Sequence, residues 1–135
     1  MTMNDVTVTY LFNYAMKNNI SFVATHLLHA GTPSCCDTSI RKMIINLNND
    51  EEGLPLEIAH EIGHILNGDE GKFYYCGDSC SSPIEVNAHK TGIKILANCY
   101  FEEVPKEEWN VHNFMYYYCI PPSYTDWVVN YLKSK

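Results

Sequence analysis

Basic residues are scarce in this chain: nine Lys and Arg stand against sixteen Asp and Glu, a formal net charge of −7. That balance excludes a module that grips a phosphate backbone by itself, since nucleic-acid binders carry a basic footprint. No apolar run approaches the roughly eighteen residues needed to span a bilayer. The N-terminus lacks a basic segment leading into a continuous apolar core, so a secretory signal is not expected and a cytoplasmic location is. Repeats and low-complexity tracts are missing too, which sets aside solenoids and disordered linkers. Nothing ahead of residue 54 reads as a helix-turn-helix, so any effect on transcription must pass through a separate protein. The expected partner is therefore a protein, with no direct nucleic acid and no membrane.

What remains is a chain of 135 residues, 46% of them hydrophobic. That suits a single domain with a real core. Its most informative segment is His60-Glu61-Ile62-Gly63-His64. Residues four apart on a helix share a face one turn apart, so both imidazoles can reach one metal ion while Glu61 stands beside it. At about 100° per residue, Leu54, Ile58, Ile62 and Ile65 form one stripe, and Glu57, His60, Glu61 and His64 fall on the other side. Leu54-Pro55 suits a helix start and Asn67-Gly68 a glycine-type stop. The plain alternative is a solvated polar face. Against it, Ile62, Gly63, Ile65 and Leu66 around the histidines are uncharged, as a buried metal-site helix requires.

A catalytic zinc site normally has three protein ligands and an open position. Glu85, about twenty residues beyond His64, is the best candidate for the third. It opens a second predicted helix, from Pro83 to about Tyr100, on which Glu85, His89, Gly92 and Leu96 share a stripe. Gly92 would let the two helices approach closely. The competing reading of Glu85 is a first-turn glutamate favoured by the helix dipole. For His89 three roles are open: a fourth ligand, a group that orients a ligand, or a packing histidine. The second fits best, because a fourth protein ligand would close the position that catalysis needs.

His-Glu-Ile-Gly-His, followed by the Glu85-Val86-Asn87 helix entering the apolar run Ile93 to Leu96, resembles the ImmA/IrrE family of zinc metallopeptidases. The upstream leading helix and the strand Met43–Leu47 agree with it. The likeness covers roughly residues 5–101. It implies His60, His64 and Glu85 as ligands of one Zn²⁺ per chain and Glu61 as catalytic base. It also implies a protein substrate, the helix-turn-helix repressor of a phage or mobile element. The family's second helix usually reads E-A-N-x-F-A; Val86, His89 and Lys90 replace its alanine, aromatic and small residue. Two further functions stay open. One is a zinc-containing antirepressor that binds its partner without cutting it, the other an interaction module whose metal is purely structural.

Six cysteines are present. In a cytoplasmic chain they read as free thiols, with Cys99 and Cys119 as small core residues. Cys76 and Cys80 with Cys35-Cys36 form an awkward alternative zinc cage. The coarse order predicted is a helix over about 5–17, extended chain at 21–25 and 32–37, a strand at 42–47, and the zinc helix. A short strand or loop at 72–76, the second ligand helix, a helix from Pro105 to about Tyr118 and a last one from Tyr124 to Leu132 complete it. This is an α+β fold, a small zincin-like domain whose two site helices pack with a small sheet. Residues 105–133 form its helical extension. The aromatics gathered there read as packing groups. His112 or one of the tyrosines could supply an oxyanion donor.

Overall fold

The computed structural model describes residues 2–68, 73–75 and 82–135, with the backbone alone for 73–75. Helix α1 spans Met3–Lys17 and starts two residues earlier than the apolar pattern suggests. A capping box explains this: Thr2 Oγ1 accepts from the Asp5 N–H at 3.1 Å, and the Asp5 carboxylate accepts from the Thr2 N–H at 2.9 Å. Strands β1 (Ser21–Thr25), β2 (Cys35–Asp37) and β3 (Lys42–Asn46) follow, then α2 (Leu54–Leu66), β4 (Phe73–Tyr75) and α3 (Pro83–Tyr100). Past α3 the chain makes a 3₁₀ turn at Lys106–Glu108, helix α4 (Val111–Tyr117), a second 3₁₀ turn at Pro122–Tyr124 and α5 (Thr125–Lys133). The fold is α+β, as expected.

The four strands form one mixed sheet in the order β1-β3-β2-β4. β1 runs parallel to β3, with Val23 opposite Ile44, while β2 lies antiparallel to both β3 and β4. Met43 and Ile45 alternate on the buried face of β3 and pack into the same core as Ile58 and Ile62 of α2. That core continues through Leu11 of α1 and Ile93 and Leu96 of α3 to Phe114, Tyr118, Val128 and Leu132 near the C-terminus.

The loop before α2 carries a buried polar network that its composition disguises as a solvated turn. Asn46, fully buried, donates through Nδ2 to the His29 carbonyl at 2.8 Å and to the Thr32 carbonyl at 2.9 Å. Asn49 Nδ2 donates to a Glu57 carboxylate oxygen at 3.0 Å, and the Ser34 hydroxyl donates to the same oxygen. Gly53 caps α2 without a side-chain bond, so these contacts to Glu57 fix where the helix begins.

Two expectations are corrected near the C-terminus. The single helix predicted from Pro105 is broken, because Asn110 takes an extended backbone and its side chain caps α4 by accepting from the Asn113 N–H at 3.0 Å. Cys119 is exposed, not a core residue; it turns the chain out of α4 with φ of 56°. Cys76 and Cys80 lie outside the described residues. Cys35 and Cys36 are buried free thiols on β2.

Candidate metal centre

Helices α2 and α3 meet backbone to backbone. A Cβ built on Gly63 would fall 2.3 Å from the Ala88 carbonyl oxygen, and one on Gly92 would fall 2.8 Å from the Ala59 carbonyl. The expected role of Gly92 is met; Gly63, inside the motif itself, has the tighter approach and escaped sequence reasoning. Two glycines on facing helices let the axes close until the donors of one reach those of the other. Ser82 caps α3 by accepting from the Glu85 N–H at 3.2 Å, and Pro83 occupies the first turn, which sets Glu85 at the mouth of the pair.

Three donor atoms converge there. His60 Nε2 lies 2.6 Å from Glu85 Oε2, His64 Nε2 lies 3.0 Å from the same oxygen, and the two Nε2 atoms are 3.1 Å apart. An ion held about 2 Å from each of three donors places them roughly 3 Å from one another, so this triangle has the size of a metal site. Both histidines are fully buried, while the Glu85 side chain keeps 14% exposure. Burial first, then the neighbouring histidines, push the pKa of His60 down to about 2. An imidazole kept neutral in this way offers a lone pair at physiological pH, as a ligand must. His60, His64 and Glu85 are the group, among the described residues, able to hold a metal ion.

Glu61 differs from these three. The face of α2 that carries the histidines is buried: Glu61 has no exposed surface, and neither carboxylate oxygen makes a hydrogen bond among the described residues. Burial raises its pKa well above the usual carboxylate range, with Glu85 and Glu57 adding to the shift. The thiol of Cys36 lies beside the carboxylate and opposes the rise. An uncompensated buried carboxylate is costly, and a cation bound at the adjacent donors is what would favour its ionised form. The orphaned Glu61 and the donor triangle thus both fit a metal ion in this place.

Sequence reasoning did not find two neighbours of the site. Cys36 reaches Glu61 from β2, and Tyr124 lies edge-on to His89, with ring centroids 5.6 Å apart. No local pattern signals either, since each depends on a distant segment folding back. His112 is elsewhere: it lines a surface groove on α4 with Tyr116 and Pro121.

No protein-family model matches the chain, and no curated protein or solved structure matches it either. The metal-binding reading therefore rests on the His-x-x-x-His spacing on α2 and the glutamate supplied by α3.

Proposed function

We propose that the protein is a zinc-dependent metallopeptidase that hydrolyses a peptide bond in a protein substrate. The observation that carries this reading is the buried triangle of His60, His64 and Glu85 with a carboxylate, Glu61, next to His60 on the same helix. His60, His64 and Glu85 would hold the ion. Imidazole donors favour a borderline metal such as zinc over magnesium. Zinc held this way supplies a Lewis acid and a water of lowered pKa. Glu61 takes a proton from water as it attacks the scissile carbonyl, then hands that proton to the leaving amine. The tight α2–α3 contact keeps the base and the donors in one rigid frame. By resemblance to the ImmA/IrrE family, the substrate is a helix-turn-helix repressor of a phage or mobile element, met in the cytoplasm.

A second reading draws on the same residues. The complete burial of Glu61 favours a zinc-containing antirepressor that sequesters its partner without cutting it. Glu61→Gln separates the two. The peptidase reading expects full metal content and loss of cleavage when candidate repressors are incubated with the variant and followed by mass spectrometry. A variant that loses its metal would make Glu61 a ligand, and one that still antagonises its partner in full would favour sequestration.

A further inference from the structure

A histidine that ligates a metal through one ring nitrogen ordinarily donates its other ring N–H to a carboxylate, a carbonyl or a water, and that bond sets the orientation of the ring. His60 departs from this pattern. Its Nε2 faces Glu85 and His64, while its Nδ1 is buried and makes no hydrogen bond among the described residues. On its other side the ring is held by packing against His89: the two ring centroids lie 4.0 Å apart, with the planes inclined at 45°.

The placement of His89 is itself constrained from two directions. Its neighbour Ala88 is pressed against Gly63, and Gly92 one turn on is pressed against Ala59, so the backbone carrying the ring cannot slide. On the far side stands Tyr124, buried to 8% exposure, its ring inclined at 62° to His89. Tyr124 is seated by the 3₁₀ turn that introduces α5, where its N–H donates to the Pro121 carbonyl at 3.0 Å and Thr125 Oγ1 donates to the Pro122 carbonyl at 2.7 Å. Three rings from three segments thus stand in series: His60 on α2, His89 on α3 and Tyr124 ahead of α5. His89 is not one of the three donors that lie within 4.8 Å of each other, so it stands behind a ligand and not among them.

We propose that His89 is a positioning residue of the metal centre, holding the His60 ring by packing against it, and that Tyr124 backs it. The C-terminal segment then belongs to the site, although it contributes no ligand. This inference rests on the reading of His60, His64 and Glu85 as metal ligands.

The test uses the full chain, purified without a metal-binding tag and titrated with Co²⁺. Its ligand-field absorption reports ligand geometry, and competition with a chromophoric chelator reports affinity. His89→Ala is expected to weaken binding by about 10- to 100-fold, the range typical for groups that orient a ligand, and to shift the cobalt bands. His89→Phe, which keeps a ring in place, is expected to restore most of both. Tyr124→Ala should give a smaller change of the same kind, and it leaves the α2–α3 contact intact should His89→Ala fail to fold. Leu132→Ala, a core truncation in α5, is the control. It should lower the melting temperature and leave affinity and spectrum at wild-type values. A His89→Ala protein with wild-type affinity and spectrum would overturn the proposal, as would equal weakening by Leu132→Ala. Failure of the wild-type chain to bind cobalt at all would instead remove the ligand reading on which the proposal stands.

Discussion

The α2–α3 pair and the C-terminal segment solve the same packing problem with opposite materials. The helix pair closes because side chains are missing: Gly63 and Gly92 let backbone touch backbone, and every residue from Leu54 to Ile65 except Glu57 is buried. The C-terminal segment closes with large rings. Phe101, Trp109, Phe114 and Tyr118 interlock with centroid separations of 4.7 to 5.6 Å, and the Tyr118 hydroxyl reaches Thr7 Oγ1 on α1 at 2.8 Å. A contact made of absence has no slack, since any added atom meets a carbonyl. Ring contacts can re-pack at modest cost. The donors of the candidate metal centre belong to the rigid region, as does the His89 ring packed on His60, while Tyr124, which lies behind His89, comes from the adaptable one.

The sharpest way to break this contrast is Gly63→Ala. Its new Cβ would meet the Ala88 carbonyl, which a helix cannot move aside, so we expect a loss of about 3 kcal/mol or more in denaturant unfolding, with loss of metal binding. A cost below about 1 kcal/mol would mean that the helices are not locked as described.

Next in size is the response of the metal-free protein to Glu61→Gln. The folded-state pKa of Glu61 lies above its ordinary value of 4.5, so its favourable contribution is present below that pH and is lost as pH rises. The variant should therefore match wild type near pH 4 and exceed it by about 1–3 kcal/mol at neutral pH, measured as a difference in denaturant midpoints. An unchanged or reversed difference across that range would show that the carboxylate is well solvated or paired.

Smallest is Tyr118→Phe in the C-terminal segment. It removes the bond to Thr7, which still donates to the Met3 carbonyl at 3.0 Å, and should cost about 1 kcal/mol with metal affinity unchanged. A drop in metal affinity here would place the whole aromatic cluster in the site's support and blur the contrast.

The legible part of the molecule was the local part. His60, Glu61 and His64 could be read because a helix repeats every 3.6 residues, and the extended run at 21–25 and the strand expected at 42–47, which ends at Asn46, because apolar runs end in turn residues. The helix that carries Glu85 could be placed because Pro83 marks its start, and in the structure the Glu85 carboxylate lies 2.6 Å from His60 Nε2. The strand order β1-β3-β2-β4 and the approach of Cys36 to Glu61 could not be read, because both depend on contacts between distant segments. The break at Asn110 was missed because a capping side chain interrupted a pattern that propensity alone would have continued. By composition the run Asn48-Asn49-Asp50 is only a polar loop. Its role follows from Asn46 and Asn49 meeting carbonyls and Glu57 that lie elsewhere in the chain.

The central claim is that His60, His64 and Glu85 hold one metal ion, and elemental analysis of the untagged protein tests it most directly. Wild type should carry about one zinc per chain, and His60→Ala and Glu85→Ala should each lose it or nearly so while keeping their helical content. A wild-type chain that arrives without metal and takes up none when zinc is added would contradict the account at its base.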